Sequence, residues 1–171
     1  DNSNQFSGWA NKGTRTVTAI PSHAPSAVSI TPNSGSSPAG QGITFTARYS
    51  DTLGYTDISY AHLKISPDGS PVNALWARYD QASGLLRLRN AANTDWAGSC
   101  TPGSANILSN GYFKLYCAQS NTAGSSGSSL VVNWRVEPLG PAAGKPYSLY
   151  MAAMDNSNQF SGWANKGTRT V

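Results

Sequence analysis

"GITFTARYSDTLGYTDISYAHLKIS", residues 42–66, reads as two strands and the loop that joins them. On the first, Ile43, Phe45, Ala47 and Tyr49 alternate with Thr44, Thr46, Arg48 and Ser50. A period of two sends one set to an apolar interior and the other to water, the pattern of a half-buried β-strand. On the second, Leu63 and Ile65 mark Ser59, Ala61, Leu63 and Ile65 as the inward set, and Ile58, Tyr60, His62 and Lys64 take the opposite face. The loop between carries an aspartate near each end, Asp51 and Asp57. Nowhere in the chain does an apolar 3.6-residue period persist for three turns, so the class is all-β.

The same pattern recurs on both sides. "AVSITP" (27–32) is a short strand before it. "NALWARYDQASGLLRLRN" (73–90) predicts a hairpin, with one strand over 74–79, a turn at "DQASG" and a return over Leu85–Arg89. "GYFKLYCAQ" and "SLVVNWRVEP" are strands joined by the Gly- and Ser-rich tip "SNTAGSSGSS", and "PYSLYMAAMD" and "KGTRTV" finish the series. Roughly nine polar-alternating strands argue a sandwich.

A second signal is repetition. Residues 155–171, "DNSNQFSGWANKGTRTV", are identical to residues 1–17, a spacing of 154 positions. Such self-similarity is the mark of a tandem array; a terminal strand duplicated by design would give the same letters. On the array reading, residues 1–17 are the terminal strand of a preceding repeat, 18–26 a linker and 27–171 one repeat. The opening residues read as the middle of a fold, so the chain is expected to be a window on something longer. One sandwich has one slot for a final strand. Phe6, Trp9 and Val17 of the leading copy are therefore expected to contact a neighbouring unit, head to tail, with the proline-bearing "TAIPSHAP" as a stiffened joint.

Composition narrows the function. Charged residues make up 12% and the net charge is only +4, with Lys and Arg scattered rather than striped, which argues against nucleic acid. No run of eighteen apolar residues predicts a membrane span. No G-x-S-x-G elbow, H-E-x-x-H pair or phosphate-cradling loop appears, and an enzyme is not expected. Cys100 and Cys117 are separated by turn residues that could fold one back onto the other. The alternative is two buried thiols that never meet, but an even count in a chain of this character favours a disulfide and an oxidising compartment.

A short strand, a long strand, a two-aspartate loop, a third strand, a middle excursion and a terminal pair follow the order of an immunoglobulin-like Greek key. More closely, the set resembles bacterial immunoglobulin-like tandem repeats of large surface proteins, units of about 150 residues. The resemblance is carried by Tyr49, Ser50, Asp51, Gly54, Tyr55 and Asp57, then by Asp155, Asn156, Ser161, Gly162, Trp163, Gly167, Thr170 and Val171. It implies an immunoglobulin-like β-sandwich with an inserted β-hairpin region, on an extracellular or cell-surface bacterial protein, and brings no chemistry with it.

In such a sandwich the loop after the second strand and the loop between the last two lie at one end. Asp51 and Asp57 would then meet Asp155, Asn156 and Asn158, a tempting set of oxygens for calcium. Turn aspartates ordinarily accept backbone N–H bonds instead, and low ligand charge weakens a calcium site, so no metal and no cofactor is expected. Trp134 belongs to the core by alternation, and Trp163 is expected to plug the sandwich end. Trp76, Tyr79 and Trp96 are the candidate ligand face, with Arg87 and Arg89 on the partner strand able to stack on Trp76. The sequence thus favours a structural module of a stalk, adhesin or filament, partnered by copies of itself. The alternative is a carbohydrate-binding module that meets surface glycans through those aromatics.

Overall fold

The computed structural model describes Trp9, residues 11–16 and residues 23–171; Phe6 and Val17 lie outside the described residues. Eleven strands follow in chain order: β1 Ser26–Thr31, β2 Ile43–Ser50, β3 Ile58–Ser66, β4 Leu75–Asp80, β5 Leu85–Arg89, β6 Trp96–Cys100, β7 Ile107–Ser109, β8 Phe113–Tyr116, β9 Ser129–Pro138, β10 Pro146–Asp155 and β11 Ala164–Thr170. They form two antiparallel sheets, β1-β2-β9-β8-β7 and β11-β10-β3-β4-β5-β6, packed as a β-sandwich. The β4–β5 hairpin lies where the alternation of residues 73–90 puts it. The middle excursion is richer than the sequence suggested: β6 extends one sheet and β7 the other, which raises the strand number above nine.

Alternation builds the core. Phe45, Ala47 and Tyr49 of β2 point inward, as do Leu130, Val132, Trp134 and Val136 of β9. Facing them are Ala61, Leu63 and Ile65 of β3, Leu75 and Ala77 of β4, and Tyr147, Leu149 and Met151 of β10. Trp134 stands opposite Phe45 in register and is fully buried. Each such side chain contributes about 1.5–3 kcal/mol by leaving water, and the Tyr49 hydroxyl, also buried, donates to the backbone oxygen of His62 at 2.9 Å.

The second copy of the repeated segment is built into this body. Its residues 164–170 are β11, paired with β10 from Pro146↔Thr170 to Met151↔Ala164. On its other side the chain after β1 runs parallel to it: Thr168 and Thr170 donate to the carbonyls of Asn33 and Gly35 at 3.0 Å each, and Ser37 donates to that of Thr170 at 2.8 Å. The approach is close enough that a Cβ on Gly167 would lie 1.9 Å from the Asn33 oxygen, at a φ of 152°. The buried Arg169 guanidinium locks the contact. It donates to the Ser34 carbonyl, to that of Ser36 at 2.7 Å and to the Ser37 hydroxyl at 2.9 Å.

Cys100 and Cys117 form a disulfide. The sequence placed it within the middle excursion; the structure makes it a bolt between sheets. Cys100 ends β6 in the six-stranded sheet, and Cys117 directly follows β8 in the five-stranded one. Both residues are buried in the common core. Replacing both cysteines by serine is expected to lower the unfolding free energy by about 3 kcal/mol, the loop-closure value for a bridge of this span. Denaturant midpoints of the two proteins measure it, and coincident midpoints would show that the bridge contributes nothing.

Candidate functional site

Two places in the sandwich concentrate chemistry. The first is the end where β2 leads into β3 and β10 into β11. A single helical turn, Tyr55–Asp57, precedes β3. Asp57 precedes Ile58, which pairs with Asp155, the last residue of β10. The two loops are sewn together: Asn156 donates its backbone N–H to the Asp57 carbonyl at 2.8 Å and its side-chain amide to Asp57 Oδ1 at 3.1 Å. Ser59 adds bonds from its hydroxyl to the carbonyls of Met154 and Asp155 at 2.9 and 2.8 Å.

Asp51, Asp57 and Asp155 meet here, with one carboxylate oxygen of each within 4.8 Å of the others. The Oδ1 atoms of Asp51 and Asp155 serve the turns, as turn aspartates do, while that of Asp57 takes the Asn156 amide. Asp51 Oδ1 accepts from Leu53 N at 2.8 Å, and Asp155 Oδ1 from Ser157 N and Gln159 N, also at 2.8 Å. Their Oδ2 atoms are buried and accept nothing. Asn158 contributes a left-handed residue, φ 63°, and takes its place in the turn through its backbone N–H on the Asp155 carbonyl.

The second place is the outer face of the six-stranded sheet. Here Lys64 of β3 lies between Tyr150 of β10 and Trp76 of β4 in register, and His62 lies opposite Arg78. Lys64 Nζ sits 4.9 Å from the centre of the Tyr150 ring and 4.5 Å from that of Trp163, and donates to the Gly69 carbonyl at 2.7 Å. Arg78 covers Tyr60 at 4.3 Å and Trp96 at 4.6 Å; Arg89 covers Trp96 at 4.6 Å and Trp76 at 5.5 Å. Trp76 meets Trp163 edge to face at 5.4 Å, and its indole N–H donates to His62 Nδ1 at 3.2 Å. Both His62 and Lys64 are buried beneath this roof.

Of the proposed ligand face, Trp76 and Trp96 share this surface, joined through Arg89. Tyr79 does not: it belongs to the inward set of β4 with Leu75 and Ala77 and is buried in the core. The alternation that put Trp76 outside already required it. Trp163 is likewise not an end plug. Ala164 pairs with the inward Met151, so the residue before it is turned to the outer face, against His62, Trp76 and Phe160. Trp9 is 96% exposed. Between the sheets, a cavity of about 20 Å³ under Arg169 has room for little more than a water molecule.

Comparisons with protein-family models, with curated proteins and with solved structures find no match to this chain.

Burial, reinforced by the guanidiniums of Arg78 and Arg89, lowers the His62 pKa to about 3. Burial likewise pulls Lys64 down, against an opposing pull from Asp68. Below pH 6.5 the unfolded chain protonates this histidine and the folded one refuses until about pH 3, so the histidine's contribution to stability falls as pH drops through that window and is complete above it. The His62 ring resonances are expected to hold still from pH 8 to about pH 4, and His62→Gln to flatten the acid limb of the stability profile. A ring that titrates near pH 6.5 in the folded protein would contradict this.

Proposed function

We propose that this chain is a non-catalytic structural module: one immunoglobulin-like repeat of a long extracellular bacterial stalk, adhesin or filament, with units joined head to tail. One observation carries the reading. The second copy of the repeated segment is part of the sandwich, whereas the described part of the identical leading copy, Trp9 and residues 11–16, is exposed and belongs to neither sheet. The slot that these residues are shaped to fill is taken, so the leading copy belongs with another unit.

Local conformation supports it. Asn165 Oδ1 accepts from Gly167 N at 3.0 Å in the docked copy, and Asn11 Oδ1 accepts from Gly13 N at 2.9 Å in the leading one, with φ 152° and 139° at the two glycines. The leading copy thus keeps the bend of a docked strand. The ends of the sandwich also suit a linear array. β1 starts at Ser26 opposite Ser50, beside Asp51, and β11 finishes opposite Pro146, at the other end of β10 from Asp155. The chain enters at the acidic end and leaves at the opposite one.

The strand orders support the immunoglobulin-like assignment. β1-β2-β9-β8 and β11-β10-β3-β4-β5 follow the A-B-E-D and G-F-C-C′-C″ arrangement of a variable-type domain, with β7 and β6 added at one edge. The disulfide fits an oxidising exterior, and among the described residues no helix is long and apolar enough to cross a membrane. The glycan-binding alternative is weaker. A sugar stacks on an open aromatic face, but Trp76, Trp96 and Trp163 each already carry a cation from Arg78, Arg89 or Lys64.

Two substitutions test the reading. Gly167→Ala drives a methyl into the Asn33 carbonyl and is expected to cost about 3 kcal/mol or more, whereas Gly13→Ala should leave the sandwich within about 0.5 kcal/mol. Removing residues 1–17 should likewise leave a folded sandwich and abolish its association with other units, as sedimentation would show. If that removal unfolds the sandwich, the leading copy belongs to its own unit and the reading fails.

A further inference from the structure

We propose that Asp51, Asp57 and Asp155 hold a calcium ion at the end of the sandwich where the chain enters. The site stands whether or not units are arrayed. From sequence, turn aspartates are expected to accept backbone N–H bonds; that holds for one oxygen of Asp51 and of Asp155, whereas Asp57 accepts instead from the side-chain amide of Asn156. The Oδ1 atoms accept the loop N–H groups, while all three Oδ2 atoms are buried without a partner.

Asp51 is 3% exposed and Asp155 1%. Buried carboxylates are tolerated when they are paired, fully hydrogen-bonded or bound to a metal. Among the described residues no Lys, Arg or His forms an ion pair with any of the three. Lys64, Arg78, Arg87, Arg89 and Lys114 are engaged elsewhere, against aromatic rings, Asp80 and Glu137. Three carboxylates have been drawn together with their unused oxygens out of water, and among the described residues no counter-charge pairs with them.

A small, hard dication supplies that counter-charge. Calcium binds oxygens at about 2.3–2.6 Å, so two ligands on opposite sides of it stand about 4.8 Å apart. One oxygen from each of the three carboxylates falls within that span. Magnesium, at about 2.0–2.1 Å and strictly octahedral, needs a tighter set. Carboxylates fixed by loops of irregular backbone, with water and loop carbonyls for the remaining positions, suit calcium's six to eight ligands.

Thermal unfolding of the whole chain tests the site, in a chelator and in millimolar calcium or magnesium. Calcium at about a hundred times its dissociation constant is expected to raise Tm by about 5 °C or more, and magnesium to do markedly less. Asp57→Asn is the informative variant, because the half-buried Asp57 keeps an oxygen to accept from Asn156. In chelator it should be as stable as the parent or more so, since one of three repelling charges is gone; in calcium it should lose at least half of the Tm rise. A merely structural role would lower Tm equally in both media and would overturn the proposal. So would an unchanged parent Tm in calcium, or a magnesium effect as large as that of calcium.

Discussion

The pairing of β3 with β10 is the constraint on which the rest depends. The two strands run side by side from Ser148↔Ser66 to Asp155↔Ile58 at the centre of the six-stranded sheet. Their inner faces supply Leu63, Ile65, Leu149 and Met151 to the core. Their outer faces supply His62, Lys64 and Tyr150 to the aromatic and cationic roof. Their common end carries Asp57 and Asp155 to the same point. A slip of one residue would turn the core set outward and separate the carboxylates at once. Register is therefore doubly specified, by burial on both faces of one strand.

That double burial explains what could be read from the letters and what could not. Alternation alone locates β2, the β4–β5 hairpin and β9, because each has one dry face and one at least partly open to water. It also suffices to place Trp76 outside and Tyr79 inside, which rules out a ligand face that holds both. His62 and Lys64 look like solvent-facing residues by the same rule, yet both are buried. What covers them is Trp163 and Tyr150, brought across the sheet from more than eighty positions away in the chain. No local pattern encodes that cover. The parallel run of residues 33–37 against β11 is hidden for the same reason: its Ser, Gly and Asn read as a loop, and its order comes from backbone bonds and Arg169.

The acidic end was legible in part. Spacing and strand order bring Asp51, Asp57 and Asp155 together, and the preference of aspartate for turns accounts for the backbone N–H bonds to Asp51 and Asp155 but not for Asp57, which accepts from the Asn156 side chain. The allocation of individual oxygens was not legible. Whether a carboxylate is satisfied depends on where its second oxygen points, and the sequence says nothing of that. The duplicated segment teaches a related lesson. Its two copies share every residue, and even the Asn–Gly bend, but Arg169 is buried in a cage of carbonyls while its counterpart Arg15 is exposed. Letters specify what a strand can fill, and the vacancy has to be provided by the surrounding fold.

The placement of the start of β1 and the end of β11 has a mechanical consequence. Tension applied between Ser26 and Thr170 acts along the strands. It draws residues 33–37 one way through β1 and β11 the other way, so the bonds from Thr168, Thr170 and Ser37 are strained sideways and together. Arg169, with donors on both carbonyl and hydroxyl partners in that stretch, shares the same load. Bonds loaded in parallel yield as a set, whereas bonds peeled from one end yield one after another. The sandwich is thus joined to its own last strand in the orientation that best resists being pulled out lengthwise.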